Sequence, residues 1–344
     1  MPPHPHRPPE LAWQVFRGSE AIRRGLLSRH HLRGSSWIRL RQDVYADARL
    51  DRDHALACRA ALLRMPPGAA IAGPSAAYLH GVEHAADFTD DVHVLLPATV
   101  RADSQPGVRV HHAPMSSTRS GLLVPVGSAA PARTSPPVGT RSPAGTSSPI
   151  GTSSPAGARS TGAVMILAGP PPRTEPAACA WETAVWADPV EAVGIVDGLL
   201  RTGSVNRSAL ASEAARNACR PGGRRAAWVF GLTDGLAQSP PESHLRVRLV
   251  LAGLPRPVAR YPVRVPTGLI LHPDLAWPEF RVAVEYDGQW HSDADRMHLD
   301  RRRLNQLVAA GWLVLHVTGR RLRKEFPALV REIRAALVAR GWRP

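Results

Sequence analysis

The feature that most limits how this chain can fold is a low-complexity stretch at residues 116–162. It consists largely of Pro, Gly, Ser and Thr, and it contains the imperfect repeats SPAGTS, SPIGTS and SPAGAR. Such a segment buries too little apolar surface to offset the entropy that a chain loses on folding, so we predict a disordered insertion. A segment that docks a partner is the alternative. The folded cores must come from the chain on either side.

The length of 344 residues allows two or three domains with cores of their own. We expect a multidomain α/β (α+β) protein. The predicted units are a winged helix-turn-helix-like unit at 1–50, a mixed α/β middle region at 51–115, the insertion at 116–162, a helical continuation of the middle region at 163–237, and a C-terminal domain at 238–344.

Cysteine usage and hydropathy predict the compartment. Cys58, Cys179 and Cys219 are far apart and form no CxxC pair, which argues against a structural zinc site or a disulfide framework. The N-terminus lacks the apolar region of a signal peptide, and no run approaches the ~18 apolar residues of a membrane span. We expect a soluble, cytoplasmic protein without a membrane partner.

The net charge of +15 favours an anionic partner, but its distribution is more informative than its size. Lys324 is the only lysine among 43 basic residues, so the arginine content also fits GC-rich coding. Residues 238–344 alone carry 18 basic and 10 acidic residues, an excess of eight. Basic charge concentrated in the last third indicates a polyanion such as nucleic acid.

The N-terminal unit is predicted to contain three short helices followed by a hairpin. The segments LAWQVFRG, SEAIRRGL from an N-cap at Ser19, and SRHHLRG from Ser28 to Gly34 are read as helices. SWIRLRQDVYA then alternates around a polar Gln42-Asp43 turn. This is the layout of a winged helix-turn-helix, and its candidate DNA contacts on the third helix are Arg29, His30, His31 and Arg33. A helical packing module with solvated arginines is the alternative.

The middle region shows helices and a strand pair but no catalytic constellation. His80, His84, His111 and His112 have spacings that metal ligands use, yet no Cys or acidic partner accompanies them. We therefore expect solvated or core-edge histidines there.

The C-terminal domain is predicted to follow the order α-β-β-β-α-β-α. Its helices are SPPESHLRVRLVLAGL, DADRMHLDRRRLNQLVAAG and RKEFPALVREIRAALVAR, and its strands are PVARYPVRVP, GLILHPDLAWP, RVAVEYD and WLVLHVT. Trp290 and Trp312 are expected in the core. Asp274 and Glu285 fall on adjacent strands of a hairpin that turns near Pro278 and Glu279.

This hairpin is expected to bring two carboxylates together at one end of the sheet. Two carboxylates at such a short separation repel each other unless a cation neutralises them, and Mg²⁺ prefers hard oxygen ligands. Glu242, in the first turn of the preceding helix, could supply a third oxygen ligand. The sequence therefore predicts a Mg²⁺ (or Mn²⁺) site of the kind that a metal-dependent phosphodiesterase uses.

The run Glu242, Asp274, VEYDG, His291, Asp300-x-x-Arg303 and GWLVLHV resembles the endonuclease-like domain family DUF559. That family is related to the very-short-patch repair endonucleases, within the PD-(D/E)XK restriction-endonuclease-like fold. The resemblance covers about residues 240–340. The N-terminal half resembles, more loosely, an AbiEi-like antitoxin winged helix, with a SAAxLHG-like segment at Ser75–Gly81.

The resemblance implies a role for each matching residue. Asp274 and Glu285 would be metal-binding carboxylates and Glu242 the helix acid. His291 would be a general base or a phosphate contact, and Arg303 would lie beside the site. One departure concerns Asp287, which stands where the family has a lysine. His291 or an arginine would then take the role of that lysine, or the site would bind metal and cleave poorly.

Several readings stay open. Glu285 and Asp287 could be strand-end acids paired with Arg301 or Arg303, and Asp300 could pair with Arg303 along the helix. Arg301 and Arg302 are candidate nucleic-acid contacts. The function is either a Mg²⁺-dependent DNA endonuclease or an antitoxin-like DNA-binding regulator with a degenerate nuclease fold and a toxin partner. RNA is a less favoured substrate than DNA, and a homodimer is plausible because single-site nucleases often use a second copy to cut both strands.

Overall fold

A computed structural model describes residues 6–113, 170–287 and 294–344, and for residues 294–301 it describes the backbone alone. The insertion predicted at 116–162 lies outside the described residues, as do His291 and Trp290. The described chain is a mixed α/β structure whose strands form several small sheets. No helix in the described part of the chain is long and apolar enough to cross a membrane.

The N-terminal unit is a three-stranded antiparallel sheet with one short helix. Its elements are β1 (Val15–Arg17), α1 (Gly18–Arg23), β2 (Trp37–Arg41) and β3 (Val44–Asp47), and the strand order is β1-β3-β2. The predicted hairpin is confirmed, because Gln42 and Asp43 connect β2 to β3 and Asp43 takes a left-handed φ of 59°. The Asp43 carboxylate accepts hydrogen bonds from the Ser19 amide at 2.7 Å and from the Ser19 hydroxyl at 2.6 Å.

Two of the three predicted N-terminal helices are wrong. LAWQVFRG forms only a 3-10 turn at Pro9–Leu11 before β1, because Trp13 adopts a left-handed φ of 60° that an α-helix cannot contain. The candidate recognition helix is likewise a single 3-10 turn at His31–Arg33. Ser19 is not an N-cap either, since α1 begins at Gly18 and the Ser19 hydroxyl donates to Asp43.

The middle region contains six helices among its described residues, arranged around a three-stranded sheet. These elements are α2 (His54–Leu62), β4 (Ala70–Ile71), α3 (Gly73–Leu79), β5 (Val92–Pro97), β6 (Val108–Ala113), α4 (Pro176–Trp186), α5 (Pro189–Arg201), α6 (Arg207–Arg216) and α7 (Gly223–Leu232). The sheet order is β4-β5-β6, with β5 and β6 parallel. One apolar cluster joins residues from before and after the predicted insertion.

Side-chain caps explain where several of these helices begin. Asp53 accepts a hydrogen bond from the Leu56 amide at 2.8 Å, and Asn206 accepts one from the Ala209 amide at 2.9 Å.

His80 and His84 are core-edge residues, as expected. Their Nε2 atoms lie 2.8 Å from the Thr174 carbonyl oxygen and 3.2 Å from that of Gly194.

A buried carboxyl, Glu182 on α4, ties the two halves of the middle region together. Its Oε2 accepts hydrogen bonds from the Gly73 amide and from the Thr174 hydroxyl, each at 2.8 Å. Burial raises the pKa of Glu182 from its ordinary 4.5 to about 7, although both hydrogen bonds and Arg220 act in the opposite direction. The folded protein therefore holds this proton more tightly than the unfolded chain does.

We expect Glu182→Gln to stabilise the protein at pH 8 and to leave it nearly unchanged at pH 4.5. The carboxyl costs stability as the pH rises from 4.5 to about 7, and the full cost, on the order of 3 kcal/mol, remains above pH 7. The amide oxygen of glutamine can occupy the Oε2 position and keep both bonds. Urea unfolding of the two proteins at several pH values measures the difference, and a difference independent of pH would contradict the prediction.

The C-terminal domain is built on a four-stranded sheet of order β12-β11-β10-β7. Its elements are α8 (Pro240–Leu251), β7 (Val258–Ala259), β8 (Val263–Arg264), β9 (Ile270–Leu271), β10 (Leu275–Trp277), β11 (Val282–Asp287), α9 (Ala294–Ala309), β12 (Leu313–Thr318), α10 (Gly319–Lys324) and α11 (Phe326–Ala339). Strands β11 and β12 are parallel and the other pairs are antiparallel. Helix α8, the four strands of this sheet, α9 and α11 follow one another along the chain as α-β-β-β-α-β-α.

Two predicted strands of this domain are each divided in two. PVARYPVRVP splits into β7 and β8 because Arg260 adopts a left-handed φ of 53°, and GLILHPDLAWP splits into β9 and β10. Strands β8 and β9 pair with each other as a separate hairpin. Helix α10 is an addition that the prediction lacked.

The sheet has an apolar core on each face. Leu245 and Leu249 of α8 and Leu329 of α11 pack with Val284 of β11 on one face. Ala283 of the same strand packs on the other face, with residues that include Leu307 of α9 and Trp312. Trp312 is buried, as predicted. Alternate residues of β11 thus face opposite cores, and the polar end of the strand projects beyond them.

Helix α8 also packs against the middle region through a buried arginine. Arg246 lies 2.7 Å from an Asp197 oxygen and 2.8 Å from an Asp234 oxygen, and it donates to the Leu232 carbonyl. Asp197 accepts further hydrogen bonds from the amides of Asp234 and Gly235 and from the Ser243 hydroxyl. Arg246 of α8 and Asp197 of α5 are almost fully buried, so this ion network connects α5 and α8 away from water.

Candidate metal centre

Asp274 and Glu285 meet where β10 and β11 begin to separate. Leu275 pairs with Val284 in the antiparallel ladder, so the preceding Asp274 lies opposite Glu285. One Asp274 oxygen, Oδ2, accepts a hydrogen bond from the Tyr286 amide at 2.8 Å, which fixes the carboxylate beside β11. The structure therefore brings these two predicted site residues together, as the hairpin register required.

Burial and like charge make ionisation of both carboxyls costly. Burial, and then the charge of Asp274, raise the pKa of Glu285 to about 7 even though Arg303 and Arg260 act to lower it. Burial also raises the pKa of Asp274, against the opposing effects of the Tyr286 amide and of both arginines. An added positive charge would favour the ionised forms of these carboxylates.

Two arginines already contact the pair. Arg303 of α9 places Nη2 at 3.2 Å from Glu285 Oε1 and at 2.6 Å from the carbonyl oxygen of His272. Arg260, which directly follows β7, places Nη1 at 3.5 Å from Asp274 Oδ1. The predicted pairing of Glu285 with Arg303 is confirmed. The side chains of Asp300 and Arg301 lie outside the described residues, so their predicted pairings stay predictions.

Glu242 lies in the first turn of α8, where its carboxylate accepts hydrogen bonds from the residues that precede the helix. Its Oε2 accepts a hydrogen bond from the Gln238 amide at 2.9 Å, and its Oε1 accepts one from the Ser239 hydroxyl at 2.8 Å. Burial, followed by the charge of Asp274, raises the pKa of Glu242. The charge of Asp274 therefore acts on Glu242, while both oxygens of Glu242 accept hydrogen bonds at the N-terminal end of α8.

The donor set fits a hard cation held by two protein carboxylates and water. Among residues 6–113, 170–287 and 302–344, no three His, Cys, Asp or Glu side chains are close enough to hold one ion. Asp274 and Glu285 face each other across the two strands, and Mg²⁺ is an ion that keeps several waters and binds through one or two carboxylates. Each oxygen of Glu242 accepts one hydrogen bond at the start of α8.

The remaining predicted site residues are dispersed. Asp287 is exposed at the end of β11, opposite Thr318 of β12, and Arg302 is exposed on α9. Arg29, His30 and Arg33 are exposed near the 3-10 turn, far in sequence from the carboxylates. Their neighbour His31 is half-buried, and its Nδ1 accepts a hydrogen bond from the Ser28 amide at 3.2 Å.

Three residues near the carboxylates were missed by sequence reasoning. Arg260 and the His272 carbonyl contribute the contacts described above, and His316 of β12 pairs in register with Glu285. The WLVLHVT pattern placed His316 on a strand. A parallel pairing of that strand with RVAVEYD would have predicted that His316 lies beside Glu285. No pattern in the sequence marks Arg260, because its position depends on the break between β7 and β8.

Comparison with known proteins gives two relatives. An uncharacterized protein of Mycobacterium tuberculosis strain CDC 1551 / Oshkosh and one of strain H37Rv are each 31% identical to this chain over 153 residues. The aligned part covers 44% of this chain, and the chain spans 56% of the length of each relative. No family model matches the chain, and no solved structure matches it.

Proposed function

We propose that the chain is a metal-dependent DNA endonuclease whose active site lies at Asp274 and Glu285. The observation that carries the proposal is the facing pair of half-buried carboxylates at the end of a mixed sheet, with the pKa of Glu285 raised to about 7. The element order of the domain supports a restriction-endonuclease-like fold. The resemblance to the DUF559 and very-short-patch repair families supports the same assignment.

The carboxylates of Asp274 and Glu285 would hold Mg²⁺ or Mn²⁺. When bound, the metal would polarise the phosphate and lower the pKa of a bound water. Arg303 is held at the site by Glu285 and by the His272 carbonyl, so its guanidinium is positioned to contact a phosphate oxygen. Asp287 lacks the positive charge of the family's lysine, and an arginine at this site is the residue that supplies charge in its place.

The N-terminal unit would help to position DNA. Its β1-β3-β2 sheet and its β2–β3 hairpin support a reduced winged helix-turn-helix, in which Arg29 and Arg33 are exposed beside the 3-10 turn. A single turn presents few side chains to a groove, so we assign these arginines to phosphate contacts and not to base recognition. DNA is the favoured substrate class, with RNA less favoured and a homodimer as the assembly that would cut both strands.

The proposal is tested by incubating the full chain with supercoiled DNA and Mn²⁺ or Mg²⁺. We expect nicked circles to accumulate with either metal and no nicking in EDTA. Nicking that continues in EDTA would contradict metal dependence. Absence of nicking with both metals, on plain and on mismatched DNA, would contradict the nuclease assignment.

A second candidate is a non-catalytic, antitoxin-like DNA-binding regulator with a toxin partner. The observation that favours it is that Arg260 and Arg303 already pair with the two carboxylates without a metal. In that protein the ion pairs would be structural, and Asp287 would mark a lost active site. Metal-independent DNA binding that weakens when Arg29 and Arg33 are changed to alanine, together with absence of nicking, would favour this function.

A further inference from the structure

Strands β10, β11 and β12 carry three polar side chains in one row across the C-terminal sheet. Asp274 lies opposite Glu285 in the antiparallel pairing of β10 with β11, and Glu285 pairs in register with His316 in the parallel pairing of β11 with β12. Neighbouring strands lie about 4.8 Å apart, so His316 extends the row by one strand beyond the two carboxylates. Among the described strands, β12 is the edge of this sheet.

The alternation of the strands places the His316 side chain on the same face as the carboxylates. Ala283 of β11 and Val314 of β12 both pack in the apolar cluster on the α9 side of the sheet. Glu285 and His316 each follow two residues later, so their side chains point to this same face. The contact between Glu285 and Arg303 of α9 agrees with this direction.

The row ends in a hydrogen-bond donor that has no partner in the described part of the chain. The imidazole of His316 is exposed and makes no hydrogen bond or ion pair with the described residues. The two arginines at the carboxylates, in contrast, each already pair with one of them. A phosphate oxygen beside the carboxylates can therefore accept a hydrogen bond from His316 while both ion pairs stay in place.

Helix α10 brings positive charge to the same end of the sheet. It begins directly after β12, and its Arg323 and Lys324 are exposed and form no ion pair among the described side chains. Arg323 Nη1 lies 3.3 Å from the position that a Cβ on Gly319 would take, and the hydroxyl of Tyr286 lies 2.9 Å from that same position. Because Tyr286 follows Glu285 on β11, the Arg323 guanidinium lies near the end of the sheet that carries the carboxylates.

The acids around α10 leave this charge in place. Glu325 lies 3.6 Å from Arg320 Nε, and Glu332 pairs with Arg321. Asp287, at the end of β11, is exposed and forms no ion pair with the described side chains. The two basic residues at the C-terminal end of α10 are therefore the ones left to bind a polyanion.

Resting on the proposed nuclease function, we propose that the DNA strand to be cut passes over the β12 edge of the sheet. His316 donates a hydrogen bond to an oxygen of the scissile phosphate, beside Asp274 and Glu285. Arg323 and Lys324 contact phosphates next to it. Phosphate contacts do not read the bases, so this surface sets the position of the DNA and not the sequence that is cut.

The nicking rate of His316→Ala tests the contact with the scissile phosphate. We expect the rate at saturating DNA to fall about 10–100-fold, because a hydrogen bond to a charged group is lost, and His316→Gln to recover part of it through its amide N–H. Mn²⁺ binding should not change. His112→Ala, which removes an exposed histidine from β6, should nick at the wild-type rate. A wild-type rate in His316→Ala would overturn the catalytic contact.

DNA affinity measured in EDTA tests the α10 contacts separately from cleavage. We expect Arg323→Gln combined with Lys324→Gln to make the slope of log affinity against log salt shallower by about two, because each lost phosphate contact removes about one. The control is Arg340→Gln combined with Arg343→Gln. Both arginines are exposed, and Arg340 donates to the Gly311 carbonyl before β12, at the opposite end of that strand.

The two measurements separate this surface from the nuclease assignment. An unchanged salt slope in the α10 variant would overturn the surface, even if the wild type nicks DNA. A shallower slope without any nicking by the wild type would support the α10 contacts, and it would overturn both the nuclease and the catalytic role of His316.

Discussion

Glu285→Gln is expected to lower the rate of metal-dependent nicking by at least about 100-fold. Even outer-shell partners of metal ligands change metal affinity or activity by about 10–100-fold, and Glu285 is proposed as a ligand itself. The variant should fold at least as well as the wild type at pH 8. In the wild type, burial and the charge of Asp274 disfavour the ionised carboxylate of Glu285, and the uncharged amide of glutamine removes that cost. Plasmid nicking and thermal unfolding measure the two effects.

A matched control distinguishes this effect from a general loss of charge. Glu279 is an exposed acid in the turn between β10 and β11, on the same hairpin as Glu285. Glu279→Gln should nick DNA at the wild-type rate. DNA affinity measured in EDTA should be similar in all three proteins. Full activity in Glu285→Gln would exclude a catalytic metal at this position.

Arg246→Ala is expected to destabilise the protein by about 3–5 kcal/mol, the largest stability effect that the structure predicts. Removing one partner of a buried ion pair leaves the other charges uncompensated, and that is the costly case for buried ions. Here Asp197 and Asp234 would both lose their arginine, and the Leu232 carbonyl would lose its donor. Chemical unfolding followed by circular dichroism measures the loss.

The exposed Arg331 on α11 provides the control for this variant. Arg331→Ala should change the free energy of unfolding by less than about 0.5 kcal/mol, the usual range for a surface substitution. If Arg246→Ala had an effect as small as that, the ion network would not hold α8 against α5. Changing all three charged residues of the network to apolar residues of similar volume should cost less than Arg246→Ala alone.

The C-terminal domain could be predicted from sequence because its signals are local. The apolar run VAV and the turn near Pro278 depend on neighbouring residues, and they were enough to bring Asp274 beside Glu285. The partners of that pair are not local. Arg260 is itself the left-handed residue at which the predicted strand breaks into β7 and β8. Arg303 donates to the carbonyl oxygen of His272, 31 residues away in sequence.

The N-terminal unit shows where pattern reasoning fails. Polar residues with serine caps predicted helices in segments of seven or eight residues, too short for intrinsic propensity to decide. Tertiary contacts decided instead: Asp43 binds Ser19, and buried Val15 and Phe16 join the sheet through β1.

The most direct measurement of the central claim is a calorimetric titration of the metal-free chain with Mn²⁺, for the wild type and for Asp274→Asn. The asparagine oxygen can still accept the hydrogen bond from the Tyr286 amide, so the variant removes charge while it preserves the local structure. The account predicts one Mn²⁺ site in the wild type that is lost in the variant. Identical titrations of the two proteins, or no binding by either, would contradict it and leave Arg260 and Arg303 as the permanent partners of the carboxylates.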